Sequence, residues 1–356
     1  MITISICMIV KNEQAVLARC LTCVKDIVDE IIIVDTGSTD STKEIARRFT
    51  DNVYDFEWID DFSAARNKAF AKATMDYVLW LDADDVILAQ DIKKFIQFKK
   101  SMASTVDVVM MKYHVGFDEY GRVTLSYYRE RLVKRTNHFK WCEPVHEYIQ
   151  TSGNIINEDI CITHQKEDHA LSIRNLAIYE KILAQGNKLS TRGLYYYARE
   201  LYFHEQYESA IQAFQAFLET AEGWVEDNIS ACFHLANCYK KTDDNKNVQK
   251  ILLKSFEYDI PRAEICCMLG DYHIHLDDYI RAIFWYHLAT QLKKPTDNWG
   301  FILHDYWGYM PNIQLCLCYD RIGDRAQAIF YNDRAASYKP NDRAVLYNKQ
   351  YFDGLI

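Results

Sequence analysis

No stretch of this sequence approaches the ~18 uninterrupted apolar residues that a membrane-spanning helix requires. Positive charge is also in short supply: 41 lysines and arginines stand against 50 aspartates and glutamates, a net charge of -9. A nucleic-acid binder draws its affinity from clustered cations that neutralise phosphates, and this balance offers no such surplus, so no nucleic-acid partner is expected. A nucleotide substrate stays open, because a metal ion can neutralise a diphosphate locally on an acidic protein.

The 11 cysteines lack the spaced framework of a small disulfide-stapled domain. Cys232, Cys238, Cys266, Cys267, Cys316 and Cys318 sit inside apolar periodic segments and read as reduced and buried. Cys20 and Cys23 form a lone CxxC with no second ligand pair, which leaves zinc without a site. The opening residues MITISICMIVKNE have neither the basic start nor the cleavage site of a signal peptide; they read as a first strand, and a cytoplasmic location is the expectation. No GxGxxG follows that strand and no GxxxxGK[ST] occurs, so a bound nucleotide needs another mode of recognition.

What is present is the mixture of a packed protein, 49% hydrophobic and 26% charged, at a length of 356 residues that suits two domains. The first third alternates strands (Ile2 to Val10, Glu30 to Asp35, Asn52 to Tyr54, Tyr77 to Leu81) with helices (Ala15 to Val24, Ser41 to Phe49, Phe62 to Ala73, Asp91 to Lys100). Alternation of this kind predicts a parallel sheet covered by helices. From Val106 to Ile162 the pattern turns to Val, Tyr and Thr-rich strands with a turn at Asp118 to Gly121, expected as the partly antiparallel end of the same sheet. The expected division is an α/β domain over 1–168, a linker helix over 169–190 capped by Gly186, and helical repeats over 191–356.

The repeats follow a period near 34 residues. Leu269, Gly270, His273, Ala282, Tyr286, Ala289 and Pro295 fit the tetratricopeptide pattern of large, small and breaker positions. Leu315, Cys316, Tyr319, Ala328, Ala335 and Pro340 fit at the same offsets, with Asn332 where a large apolar residue is expected. Weaker copies run through Ala198, Leu201, Ala210 and Phe214, and through Leu235, Ala236, Tyr239 and Leu252, and an insertion falls around Thr296 to Trp307. Stacked repeats present a concave surface suited to an extended peptide or a partner protein.

Parallel α/β sheets place ligands at the carboxyl ends of their strands. The first predicted strand ends in Lys11, Asn12 and Glu13, the second in VDTGSTD with Asp35 at its tip, and the last of the parallel set in WLDADD, giving Asp82, Asp84 and Asp85. Residues at i and i+2 share one face of an extended chain, so Asp82 and Asp84 are expected to face one cleft, where they repel unless a cation joins them. A few hard oxygen ligands suit Mn²⁺ or Mg²⁺ shared with substrate phosphates, although an acidic run after a buried strand also serves as an ordinary turn or cap.

CMIVKNEQAVLARCL, DEIIIVDTGSTDSTKEIA, DFEWIDDFSAARNKAFAKA and DYVLWLDADDV, in this order and spacing, resemble the successive N-terminal motifs of family 2 glycosyltransferases of the GT-A fold, and more narrowly of bacterial peptide glycosyltransferases fused to tetratricopeptide repeats. The resemblance implies an α/β GT-A, Rossmann-like domain, a nucleoside-diphosphate sugar donor such as a UDP-sugar, and metal-dependent transfer with inversion to a peptide, protein or glycan acceptor. It implies that Asp35 faces the nucleobase beside a wall formed by Val10, Asn12 and Glu13. It also implies that Arg66 and Asn67 lie near the donor, Asp82 near the ribose and Asp84 on the metal.

The later segment RERLVKRTNHFKWCEPVHEYI resembles the family motif in which arginines and an aromatic precede a His-Glu pair. From it come Glu147 as first and Glu143 as second candidate for the base that takes the acceptor proton, His146 as a ligand of the metal or a contact of the diphosphate, and Trp141 as an apolar wall for the sugar. A homodimer is compatible with this resemblance. Two other readings compete: an adaptor in which the transferase-like domain is an inactive scaffold, and a nucleotidyltransferase, which would need a glycine-rich basic loop where KNEQA stands.

Overall fold

A computed structural model describes residues 1–165, 172–296 and 298–354. The chain divides into two compact units, the first covering Met1–Leu189 with Asp297–Trp299 and the second covering Ser190–Thr296 with Gly300–Ile356. The expected boundary at 168/169, and the start of the expected linker helix, lie outside the described residues.

The first unit is built on β1 (Ile4–Val10), α1 (Leu17–Val24), β2 (Glu30–Asp35), α2 (Thr42–Ala46), β3 (Val53–Asp55), α3 (Phe62–Phe70), β4 (Tyr77–Trp80), β5 (Asp85–Ile87) and α4 (Ala89–Ser101). It continues through β6 (Val108–Phe117), β7 (Val123–Lys134), β8 (Trp141–Cys142), β9 (Tyr148–Ile149), β10 (Ile155–His164) and α5 (Arg174–Ala184). The main sheet runs β3-β2-β1-β4-β7-β6-β10-β5. β1 to β4 pair in parallel, β7 lies antiparallel to both β4 and β6, and β10 is parallel to β6 and antiparallel to β5. The mixed sheet expected from the sequence is therefore present.

β1 shows why the sheet is covered on both sides. Ile4, Ile6 and Met8 point into one apolar cluster with Leu17, Cys20 and Leu21 of α1, whereas Cys7 between them belongs to the opposite cluster with Ala69 of α3. The chain leaves β1 in one direction toward β2 and returns on its other side as β4, which makes the gap between the ends of β1 and β4 the switch point where such sheets bind ligands. The tips at Val10, Asp35 and Trp80 gather there.

The second unit is helical: α6 (Thr191–Phe203), α7 (Tyr207–Glu219), α8 (Val225–Lys241), α9 (Asn245–Lys254), α10 (Ala263–Ile274), α11 (Tyr279–Gln291), α12 (Tyr309–Arg321), α13 (Arg325–Tyr338) and α14 (Arg343–Phe352). Successive helices pack as antiparallel pairs. Gly270 on α10 shows what the small positions do: a Cβ there would fall 2.5 Å from the ring of Tyr286 on α11, so only glycine lets the buried tyrosine lie across the helix. Asn332 replaces a large apolar residue because its buried amide donates to the Val345 carbonyl and accepts from Asn348, tying α13 to α14. Among the described residues no helix is long and apolar enough to cross a membrane.

Candidate functional site

The switch point is floored by Trp80, the last residue of β4. Guanidiniums of Arg66, Arg129 and Arg131 lie over its ring at 4.9, 4.8 and 3.9 Å from the centroid, and its indole N–H donates to the Glu130 carbonyl at 2.6 Å. Three guanidiniums crowd this one ring, each with a carboxylate partner: Arg66 with Asp82 and Glu147, Arg129 with Glu130, and Arg131 with Asp85.

The three aspartates of the acidic run take different partners. Asp82 accepts from Arg66 Nη2 at 2.7 Å. Burial pushes its carboxyl up, but Arg66, Arg131 and Arg129 outweigh burial and hold it well below the usual carboxylate range. Asp85 is fully buried, where it accepts from Arg131 Nη1 at 3.0 Å, from the Tyr113 hydroxyl at 2.7 Å and from the Asp82 amide at 3.1 Å. It anchors the loop from below. Asp84, partly exposed, has His164 Nδ1 at 3.4 Å.

Asp84, Asp85 and His164 bring one ligand atom each within 4.8 Å of one another. The register of β10 on β5 causes this, since His164 lies directly opposite Asp85. Burial disfavours a charged His164 ring, yet hydrogen bonds to Asp84 and Asp85 outweigh it and raise its pKa to about 10, so a metal ion would have to displace that proton. A carboxylate oxygen beside an imidazole nitrogen fits Mn²⁺ better than Mg²⁺, which takes oxygen ligands, with Asp84 and His164 as the two accessible ligands and Asp85 already committed to Arg131. His146, the expected histidine ligand, is not one of the three. His164 was missed because only strand pairing brings it to the acidic run; its position at the end of a strand pattern was the one available signal.

Arg66 links the acidic run to the later motif. Its Nε donates to Glu147 Oε1 at 2.6 Å while its guanidinium lies against both Trp80 and Trp141, 4.9 and 4.8 Å from their ring centroids. Asn67 is fully used by the backbone: its amide nitrogen donates to the Trp141 carbonyl and its oxygen accepts from the Trp141 amide, both at 2.9 Å, which clamps β8 to α3. Trp141 is 2% exposed and packs edge-on against Trp80 and Phe70, so its ring supports Arg66 from behind where a wall for the sugar was expected. Glu143 and His146 flank the bend between β8 and β9 with φ of 74° and 53°, left-handed conformations that cost non-glycine residues of order 1 kcal/mol each and cluster at functional loops.

At the tip of β2, Asp35 is fully buried. Its Oδ1 accepts from the amides of Gly37 and Ser38 at 2.9 Å each, and its Oδ2 is buried with no hydrogen-bond partner. An unpaired buried carboxylate oxygen calls for an N–H or O–H donor. The neighbouring segment is well ordered by side chains: Val10 is buried with its carbonyl bonded to the Thr36 amide, Asn12 Oδ1 accepts from the Thr39 amide at 2.8 Å, and the Glu13 amide donates to Thr42 Oγ1 at 2.7 Å. Burial, followed by Asp84, Asp82 and Asp40, pushes the Glu13 carboxyl up to about 7, against a smaller opposing pull from Arg174.

A cleft at the switch point that carries an orphaned carboxylate oxygen, an Asp-His pair and an arginine-stacked tryptophan lies where an α/β sheet of this topology places its ligand. Residues 5–158 match the model of glycosyl transferase family 2, and residues 263–296 match a tetratricopeptide repeat. The chain is 37% identical over 155 residues to a TPR repeat-containing protein of Synechococcus elongatus, covering 43% of this chain and 36% of that protein. It is 28% identical over 222 residues to the SPbeta prophage-derived glycosyltransferase SunS of Bacillus subtilis, covering 59% of this chain and 51% of that protein. Among solved structures, glucosyl-3-phosphoglycerate synthase from Mycobacterium tuberculosis matches at a TM-score of 0.28 and 21% identity, over 32% of this chain and 43% of that one.

The matches thus span about a third to a half of the length of these two curated relatives. The chain joins a family 2 glycosyltransferase domain of GT-A type to tetratricopeptide repeats.

Proposed function

We propose that the first domain is a metal-dependent, inverting transferase that moves a sugar from a nucleoside-diphosphate sugar, in the first instance a UDP-sugar, to a peptide, protein or glycan acceptor. The observation that carries this reading is the Asp84–His164 pair, 3.4 Å between Oδ1 and Nδ1, at the mouth of the switch point. Asp84 and His164 would hold Mn²⁺ or Mg²⁺, whose charge offsets that of the departing diphosphate. His146, on the facing loop, is the second imidazole available to the diphosphate.

The protein's own groups supply the rest. Asp35 Oδ2 accepts an N–H of the base, as a uracil ring would offer, beside the Val10, Asn12 and Glu13 segment. Asp82 takes the ribose hydroxyls while Arg66 keeps it anionic. The acceptor proton passes to a carboxylate, Glu147 first and Glu143 second; Arg66 occupies Glu147 Oε1 and so fixes that side chain in one rotamer. Asn67 and Trp141 act through position, holding β8 and Arg66 in place.

The test is binding and turnover of UDP- and GDP-sugars with Mn²⁺, Mg²⁺ or chelator, comparing wild type with Asp84→Ala and His164→Ala. Metal-dependent turnover that both substitutions abolish is the expected result. Absence of nucleotide-sugar binding under every metal condition would favour the adaptor reading, with the repeats as the active part.

A further inference from the structure

The CxxC of α1 is used by the acidic run. Cys20, fully buried, donates its S–H to the Asp82 carbonyl at 3.5 Å. Cys23 accepts the Ile87 amide at 3.5 Å while its own S–H donates to the Cys20 carbonyl at 3.0 Å. Burial pushes both thiols up, so each stays protonated at neutral pH. The two cysteines thus grip the acidic run at its start and at the end of β5. A thiol suits this place because it packs as a small apolar group in the cluster with Leu17 and Leu21 and still bonds a backbone. Arg19 stands one turn before Cys23 on the same side of the helix. Its Nη2 donates to the Gln165 carbonyl at 2.7 Å and lies 3.5 Å from the Asp84 carbonyl, which in turn accepts the Gln165 amide at 2.9 Å. Gln165 directly follows His164 at the end of β10, and Asp84 directly precedes β5.

We infer that Arg19 is a positioning residue of the cleft: it ties the ends of β5 and β10 together and so holds Asp84 and His164 at the spacing a shared cation needs, while Cys20 and Cys23 fix the loop beneath. The inference rests on the transferase reading above, in which those two side chains hold the metal ion. They come from strands about 80 residues apart, so no local turn sets their separation. Asp84 and His164 stand where the β5–β10 ladder ends, and ladder ends open at low cost. A guanidinium from a third element, bonded across that end, closes it at the point where Oδ1 and Nδ1 lie 3.4 Å apart. Arg19 is itself exposed, so its contribution to the stability of the whole domain is small. Its effect falls on the register of two ligands.

The experiment compares the full chain as wild type, Arg19→Ala and Arg19→Lys, by Mn²⁺ binding in electron paramagnetic resonance and by amide exchange read residue by residue. Groups that orient metal ligands change affinity by about 10- to 100-fold, and Arg19→Ala is expected at the low end, about tenfold weaker for Mn²⁺ with the melting temperature unchanged. Arg19→Lys keeps one donor for the Gln165 carbonyl but cannot span both carbonyls, and its affinity is expected to fall between the two. In Arg19→Ala the amides of 162–165 are expected to exchange several-fold faster while those of β1 and β2 keep their rates. Equal Mn²⁺ affinity in wild type and Arg19→Ala overturns the positioning role. Weaker binding with unaltered exchange at 162–165 overturns it as well, because Arg19 would then act on the ion and not on the strand ends. A wild type that binds no Mn²⁺ overturns the transferase reading instead, and the exchange rates still decide whether Arg19 holds β5 and β10 together.

Discussion

Arg66 Nε lies 2.6 Å from Glu147 Oε1, a contact across 81 residues of sequence that joins α3 to the loop between β8 and β9. The same guanidinium reaches Asp82 at 2.7 Å, so one cation neutralises a carboxylate from each half of the cleft. The side chains of Arg66 and Glu147 are only 9% and 12% exposed, which puts this pair in the range where geometry and pairing decide the sign of its contribution. Removing the cation leaves two carboxylates facing each other, Glu147 nearly buried and Asp82 about a third exposed. Arg66→Met is therefore expected to destabilise the first domain by roughly 3 kcal/mol, the low end for a broken buried pair because Asp82 retains solvent. Urea unfolding measures this, and the combination Arg66→Met/Glu147→Gln/Asp82→Asn is expected to recover a good part of the loss. A loss within ~0.5 kcal/mol for Arg66→Met alone would mean that solvent already screens the pair.

The histidine of the proposed metal site is separable by experiment. His164 is 3.4 Å from Asp84, whereas His146 stands outside the Asp84, Asp85 and His164 group. His164→Ala and Asp84→Asn are each expected to weaken Mn²⁺ binding at least tenfold, by calorimetry or by the loss of free-ion electron paramagnetic resonance signal, and His146→Ala to leave binding of the ion alone unchanged. The reverse ranking of the two histidines would return the ligand role to His146.

Glu13 gives a pH signature. Its carboxyl is pushed up to about 7 in the folded chain, by burial first and then by Asp84, Asp82 and Asp40, against an ordinary value of 4.5. Between those values the folded state holds a proton that the unfolded state has released, so the contribution is complete below about pH 4.5 and is lost as pH rises through about 7. Glu13→Gln carries no charge at any pH and removes this slope. In the presence of chelator, the melting temperature of Glu13→Gln relative to wild type is expected to rise from pH 5 to pH 8. An offset that stays constant across that range would place the titration elsewhere.

Much of this site was readable in the sequence because its residues sit at strand tips that hydrophobic patterning locates: Asp35 and Asp82 end apolar runs, and Asp84 follows at the next alternate position. The glycine and tyrosine of the best repeat were readable for the same reason, as a fixed period exposes them. His164 was not, since it meets Asp84 only through the pairing of β10 with β5, about 80 residues apart in sequence, and pairing partners leave no local pattern. Asp85 looks like its neighbours in the string DADD, yet its side chain turns inward to Arg131 and Tyr113. Trp141 was expected as an apolar wall for the sugar because no local signal shows that α3 covers it; the clamp from Asn67 is a tertiary fact.

Asp35 tests the nucleotide side of the cleft independently of the metal. Its Oδ1 is used by two backbone amides and its Oδ2 has no partner, so a base N–H at Oδ2 would gain a charge-assisted bond without breaking an existing one. Asp35→Asn can keep the turn through its remaining oxygen while placing an N–H₂ where the acceptor stood. UDP affinity by calorimetry is expected to fall by a factor on the order of 10 to 100, the ~1.5–3 kcal/mol of a hydrogen bond to a charged group, with the melting temperature little changed. Unaltered UDP affinity would remove Asp35 from the nucleobase site.

Gly270→Ala sets two local effects of opposite sign against each other in the repeat domain. An alanine in mid-helix is favoured over glycine by about 1 kcal/mol through backbone entropy. The new Cβ, however, would fall 2.5 Å from the Tyr286 ring, a separation no real contact sustains. Tyr286 cannot swing aside freely, since it is fully buried and its hydroxyl bonds Asp271 on the same helix as the glycine. The helices must therefore part, at a cost of about 1–3 kcal/mol for an overpacked core. Net destabilisation of the second domain by about 1 kcal/mol or more is the expected outcome in thermal or urea unfolding, together with loss of near-ultraviolet tyrosine signal. Adding Tyr286→Phe, which removes the hydroxyl tether to Asp271, is expected to ease the clash and narrow the deficit relative to Tyr286→Phe alone. A stabilised Gly270→Ala would show that helix propensity outweighs packing at this crossing.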